Sequence, residues 1–242
     1  MLHAAGTAAE VDGLVAIESR FAPAAGSARR WLEPACGTGR YLRHARRRGI
    51  TADGFDISPN MVRYAERALR AYPRGRVWQA DAADFLSGTA GARYNFAFST
   101  INTIRHIESD DNLHMHFARV AECLTPGGVY AVGIGTMDPA GEGVVEDVWH
   151  GARGRLRVTQ TAQYIPPNPG ERFETVISVM RVERPGGEQY IDSTYRLRTY
   201  TPAQWRSVLA SAPMREIAAV DEQGDDVSAD DPGYAIRILA RR

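Results

Sequence analysis

Cysteine is scarce in this chain of 242 residues, with Cys36 and Cys123 as the only two. Two thiols so far apart build neither a disulfide framework nor a metal-ligand spacing. A reducing compartment, the cytoplasm, is the expectation. Long apolar runs are also missing. No stretch approaches the roughly 18 residues that a membrane span needs. The opening "MLHAAGTAAEVDG" carries acids early and has no apolar core of signal-peptide length. Neither sign of charge is in excess, since 29 basic residues face 29 acidic ones. That balance lacks the broad positive field of a nucleic-acid binder, although it allows a local patch. What is present is ordinary globular material, 44% hydrophobic and 24% charged. There is enough of it for one large domain, or one domain with an insertion, to bury a core without crosslinks.

The apolar periodicity changes along the chain. Val11 to Phe21 has helical spacing, with Leu14, Ile17 and Phe21 on one face and "APAAGSA" as the break. Strand-like and helix-like stretches then alternate. Arg29 to Ala35, "TADGFDIS", "RVWQADA", "YNFAFSTIN" and "VYAVGIGT" read as five strands. Arg40 to Arg48, the segment after Ser58-Pro59, and residues 108–124 read as helices. Such alternation argues a doubly wound, mostly parallel sheet with helices on both faces. After Asp138 the rhythm shifts. "GRLRVTQTAQYI", "ERFETVISVMRVE" and "EQYIDSTYRLRTYT" are strand-like, and they are broken by the turn chemistry of "PPNPG" and "RPGG". The expectation is a cofactor-binding α/β core over residues 1–138 and a three-stranded antiparallel lid or insertion over 139–200. A C-terminal helix and two strands over 201–242 would complete the core sheet.

"WLEPACGTGRYL" places Gly37 and Gly39 immediately after the first strand, where ligands of open parallel sheets sit. Glycines there let backbone approach a ligand closely, and the following helix start favours an anionic group. A dinucleotide fingerprint would need a third glycine. The register here reads G-T-G-R-Y-L, which weakens a nicotinamide-dependent oxidoreductase as the alternative enzyme. An adenosyl amino acid needs an acid for its ammonium group, a second for ribose and a third near adenine. Glu33, Asp56 and Asp81 stand in that order at the ends of the first three expected strands.

With those residues the chain resembles the class I S-adenosylmethionine-dependent methyltransferases over roughly residues 29–138. "LEPACGTGR" is similar to their first motif, "GFDISPNMV" to the ribose segment, "VWQADAADF" to the adenine segment and "LTPGGVYAVGI" to the turn and strand before the lid. The resemblance implies S-adenosylmethionine as cofactor and S-adenosylhomocysteine as product. It implies that Glu33 helps hold the methionine amine, that Gly37, Gly39 and Ser99 line the methionine portion, and that Asp56 holds the ribose hydroxyls. It further implies that Asp81 accepts from the adenine amino group, with Ile57 and Met61 as apolar walls and the Ala82 amide facing the ring. The family's first motif usually has glycine where Ala35 stands, so a slightly displaced methionine end is expected.

Methyl transfer from a sulfonium is chiefly a matter of alignment and water exclusion. A base is needed only where the acceptor arrives protonated. His106, in "STINTIRHI", is the candidate base because imidazole titrates near neutrality. Arg105 is a candidate for an anionic acceptor group, and Trp149, Tyr164 and Tyr200 are candidate pocket walls from the lid. His114 and His116 read as structural or solvated. "RHARRR" reads as a solvated helix face rather than a nucleic-acid site, and no "NPPY"-like stretch follows the fourth strand. The tail "YRLRTYTPAQW" looks like that of small-molecule methyltransferases of the sugar-amine and glycine or sarcosine types. The expected function is transfer of a methyl group to nitrogen or oxygen of a small acceptor, with no metal, no membrane and no nucleic acid involved. A homodimer is allowed for. A non-catalytic binding protein of the same fold is the remaining alternative.

Overall fold

The computed structural model describes residues 6–22, 29–138, 141 and 143–242. Most of the expected "APAAGSA" break lies outside them. A helix α1 (Thr7–Phe21) precedes strand β1 (Arg30–Pro34), α2 (Arg40–Arg47), β2 (Thr51–Asp56) and α3 (Pro59–Leu69). Then come β3 (Val77–Gln79), the single turn α4 (Leu86–Thr89), β4 (Tyr94–Ser99), α5 (Asp110–Cys123) and β5 (Leu124–Thr136). Four strands follow in succession: β6 (Val145–Arg153), β7 (Leu156–Ile165), β8 (Phe173–Arg184) and β9 (Gly187–Arg198). Helix α6 (Pro202–Ala210) and strands β10 (Met214–Val220) and β11 (Gly233–Arg241) end the chain.

The seven-stranded sheet has the order β10-β11-β5-β4-β1-β2-β3, parallel except where β11 pairs with its two neighbours. Strand order reverses between β1 and β4, and that switch point opens a crevice beyond their carboxyl ends. Alternation along each strand feeds two cores. Trp31, Phe96, Phe98 and Ala131 pack beneath α1 and α2 with Leu14, Tyr41 and Leu42. Leu32, Ala97, Tyr130 and Val132 pack on the opposite face with Phe117 and Trp205 from α5 and α6. Successive residues of one strand point to opposite faces, so β1, buried from Trp31 to Pro34, serves both cores. The expected doubly wound α/β fold is therefore present.

Three local expectations need correction. The insertion is a sheet of four antiparallel strands, β6-β7-β8-β9. The unexpected member, β6, is an edge strand with Glu146, Asp147 and Gly151 and an almost wholly exposed pattern. Such strands lack the alternation that marks a half-buried one. Strand β3 stops at Gln79, so Asp81 stands two residues beyond it. "RHARRR" is not simply a solvated face. Arg46 is buried, donating to Ala52 O from Nε at 3.0 Å and from Nη2 at 2.8 Å, and to Tyr72 O at 3.2 Å. Its guanidinium satisfies carbonyls where β2 and the end of α3 meet.

Candidate active site

Two adjoining cavities lie at the switch point, with volumes of about 1180 and 700 Å³. Pro34, Ala35, Ser99 and Thr103 belong to both, so they form a common wall. Glu33, Gly37, Gly39 and Met61 line the first. Asp56, Ile57, Asp81, Ala82 and His106 line the second. Ten expected cofactor residues and the expected base thus border one continuous region.

The turn itself is built by left-handed backbone. Ala35, Gly37 and Gly39 have φ of 52, 53 and 71°. At Gly39 a Cβ would sit 3.2 Å from both Ala65 and Leu69, so the α2–α3 packing needs its absence. At Gly37 a Cβ would meet nothing within 4 Å, so that edge of the turn is open toward the cavity. Asp56 links this turn to the next. Its Oδ2 accepts from Gly37 N at 2.8 Å and its Oδ1 from Ser58 N at 2.9 Å. Ser58 in turn caps α3, its Oγ accepting from Met61 N at 3.4 Å. Ala35 is strained, because the left-handed region costs a residue with a Cβ roughly 1–2 kcal/mol. Ala35→Gly is expected to raise stability by about 0.5–1 kcal/mol, part of the relief being offset by unfolded-chain entropy. A melting midpoint that stays level or falls would count against strain at this position.

Glu33 is buried, and its Oε2 has no hydrogen-bond partner among the described residues. Burial pushes its carboxyl well above the usual range, against the nearby Arg40 cation and a bond from the Leu42 amide. Asp81 is exposed at the other end of the site and accepts from Ala83 N at 2.8 Å. The Ala82 carbonyl is fixed by His116, which is buried on α5. His116 Nδ1 lies 2.9 Å from Ala82 O and Nε2 lies 2.9 Å from Tyr130 Oη. A carbonyl only accepts, so Nδ1 carries the proton and Nε2 accepts from the tyrosine. Burial holds the ring neutral, its pKa lowered to about 4.

His106 ends the 3-10 turn Thr103–His106 at the mouth of the second cavity. Its ring stacks on Tyr195 of β9 with centroids 5.7 Å apart. Partial desolvation first, and the neighbouring Arg105 cation second, lower its pKa below the ordinary imidazole value.

The expected acceptor residues fare differently. Arg105 is buried and committed elsewhere, paired with Glu174 at 2.8 Å and donating to Arg198 O at 2.8 Å. Tyr200 has no exposed surface and packs edge-on against Trp205 with the Arg172 and Arg198 guanidiniums over its ring. Neither lines either cavity. Trp149 and Tyr164 pack on Ala162, Val176 and Leu197 of the lid and line neither cavity. Sequence reasoning also passed over wall residues that the structure supplies. Ile101 and Asn102 are consecutive left-handed residues, and Ile101 lines the first cavity. A β-branched residue with positive φ is rare. This one is held by its amide donating to Tyr234 Oη at 3.1 Å, while the Asn102 side chain accepts from Gly135 N. Nothing in "STIN" signals that conformation, which β5 and β11 impose.

Residues 32–128 match the sequence pattern of a family described as a methyltransferase domain. A dTDP-3-amino-3,4,6-trideoxy-alpha-D-glucopyranose N,N-dimethyltransferase of Streptomyces venezuelae is 30% identical over 101 residues. The matched stretch covers 42% of this chain and 40% of that protein, so it spans about two-fifths of the relative's length. The solved structure of Streptomyces venezuelae DesVI superposes with a TM-score of 0.77 at 20% identity, over 98% of this chain and 92% of that one. CalS10, described as an amino pentose methyltransferase of Micromonospora echinaspora with S-adenosylmethionine bound, superposes at 0.71 and 18% identity, over 96% and 92%. At such identities these likenesses show the shared fold. Residues 32–128, which hold the glycine turn after β1, thus match a methyltransferase domain, within a chain that shares its whole fold with solved methyltransferases.

Proposed function

We propose that the chain transfers a methyl group from S-adenosylmethionine to the amine of a small acceptor of the amino-sugar type. The observation that carries this reading is Glu33, a buried acid with one oxygen unpartnered beside the open glycine turn. A buried carboxylate calls for a cation, and the ammonium of an adenosyl amino acid supplies one. The names of the curated relatives support nitrogen on an amino sugar as the target.

When bound, S-adenosylmethionine supplies an electrophilic methyl on sulfur. The rest falls to this chain. Glu33 holds the ammonium, and Gly37, Gly39, Ala35 and Ser99 give the methionine portion a wall without bulk. Asp56 receives the ribose hydroxyls on lone pairs that its two backbone donors leave free. Asp81 receives the adenine amino group and the Ala82 amide faces the ring, in a segment oriented by His116. Ile57 and Met61, both exposed in this structure, cover the adenosine. An amine reaching the site as an ammonium ion must lose a proton before it attacks. His106 accepts that proton, because its lowered pKa keeps the imidazole neutral at physiological pH.

A labelled-methyl screen over amino sugars, phenols and carboxylates tests the reading. Transfer to amines alone is expected. Preferential binding of a nicotinamide dinucleotide over S-adenosylhomocysteine would overturn it. Glu33 offers a second test. In the free protein burial keeps its carboxyl protonated to higher pH than usual, and a neighbouring ammonium favours the carboxylate. Binding of S-adenosylhomocysteine is therefore expected to release a proton, with affinity rising as pH rises through the raised pKa. Calorimetric enthalpies should depend on buffer ionisation in the native protein and not in Glu33→Gln. Enthalpies independent of buffer in both would rule the assignment out.

A further inference from the structure

Two consecutive residues of the 3-10 turn Thr103–His106 reach the insertion. His106 stacks its ring on Tyr195 of β9, and Arg105 pairs with Glu174 of β8 at 2.8 Å. The two lid residues are neighbours. Val176 stands opposite Tyr195 and Glu174 opposite Leu197, so Glu174 and Tyr195 lie diagonally on one face of the β8–β9 ladder. The turn thus sets two side chains on two adjacent sites of a single sheet face.

The two contacts differ in kind. Tyr195 is 37% exposed, so the stack alone leaves the imidazole partly in water. The ion pair is buried, its side chains 10% and 12% exposed. Arg105 Nε also donates to Arg198 O at 2.8 Å, so this one guanidinium bridges β8 and β9. Outer pairs at the same junction, Arg198 with Asp110 and Arg196 with Glu108, have exposed carboxylates, and water screens such pairs. A buried pair is a poor source of net stability, because desolvation cancels much of its attraction. Two apolar residues would hold the lid to the turn without that penalty. What the pair adds is direction, together with a charge of each sign near the imidazole.

We infer that Arg105 and Glu174 are positioning residues for His106, their buried pair holding the turn in one register against the lid and setting the charge that the imidazole meets. This rests on the reading above in which His106 is the base, and it adds two residues to that reading. Glu174, a lid residue that lines neither cavity, thereby governs the pH at which the base works.

The charged and titratable groups around the ring are Arg105 and, past the turn, Glu108. The lid adds Tyr195 and Glu174, and the second cavity adds Asp56, Asp81 and His116. Desolvation first and Arg105 second disfavour the imidazolium, and Glu174 offsets Arg105. Removing the cation therefore favours the imidazolium, and removing the anion disfavours it.

An NMR titration of the His106 ring, identified by the signal absent from His106→Ala, reads this without an acceptor. Arg105→Gln should move the midpoint up by roughly one pH unit, and Glu174→Gln down by about as much. In both, the ring-current shift that Tyr195 imposes on the His106 ring protons should shrink. Arg105→Lys keeps the charge and should stay near the native midpoint. Either glutamine variant leaves a buried charge unpaired, which threatens folding. The double variant leaves none, and it should titrate above the native midpoint and below Arg105→Gln. Single variants that move the midpoint the same way, or not at all, overturn the inference. So does a double variant at the native midpoint, or a ring-current shift kept in full by both glutamine variants. Turnover with an amine selected by the labelled-methyl screen separates the pair from the base. If the midpoints move apart and the acidic limb of turnover stays where it was, the pair governs the ring and His106 is not the base. If the native limb matches the His106 midpoint and neither moves in the variants, the base stands and the pair falls.

Discussion

Asp56→Ala is expected to lower affinity for S-adenosylhomocysteine by roughly a hundredfold. Two hydrogen bonds from ribose hydroxyls to a carboxylate are worth about 3 kcal/mol together at the lower end of the charged range, and 2.7 kcal/mol is about a factor of 100. The loss has a second source. Asp56 accepts from Gly37 N and Ser58 N, so it couples the turn after β1 to the cap of α3. Without it two amides lose their acceptor, and the turn keeps only its backbone bond from Cys36 N to Phe55 O of β2. Asp56→Asn separates the effects. The amide oxygen replaces one acceptor while the charge and the other acceptor are gone, so an intermediate affinity is expected. Calorimetry on both variants, with melting midpoints measured alongside, checks this. An Asp56→Ala protein that binds within twofold of the native one has no ribose bond at this position.

His106→Ala is expected to lower turnover by roughly 10²–10⁴-fold, the usual worth of a positioned base, with little change in cofactor affinity. The pH dependence carries the sign. Desolvation and the adjacent Arg105 both disfavour the imidazolium, so the folded pKa lies below the ordinary one. Turnover should rise with pH as the ring deprotonates and reach its plateau at lower pH than a free imidazole would allow. In His106→Ala the acidic limb should move up toward the pKa of the acceptor amine itself. Tyr195 stacks on the ring from the lid, so Tyr195→Ala is a positioning variant. It should reduce turnover less and leave a recognisable acidic limb. Native turnover in His106→Ala at every pH would remove this residue from the chemistry.

The periodicity and turn chemistry of the chain were enough to read the alternating core and the residues that border the two cavities at its switch point. Short-range rules apply there. A strand followed by glycines makes one kind of turn, and Ser58-Pro59 starts one kind of helix, with the Pro in its first turn. Glu33, Asp56 and Asp81 then come to one end of the sheet because parallel strands all point the same way. The departure at Ala35 was also legible as a missing glycine, and the structure turns it into a φ of 52°.

The acceptor side was not legible in the same way. Arg43, Arg46 and Arg48 sit within six residues at the end of α2 and its cap, yet one lines a cavity, one is buried on carbonyls and one pairs with Asp12 at 2.6 Å. Period alone sorts a helix into faces and does not say what each face meets. Arg105 and Tyr200 looked available for the same reason, and were claimed instead by Glu174, Arg198 and Trp205. The edge strand β6 carried no alternation, so the hairpin that brings Arg153 over the first cavity could not be read. Local signals depend on neighbours in the chain and act before folding. Whether a charged side chain is buried, paired or left facing a hollow depends on which distant segments arrive beside it, and only the folded arrangement decides that.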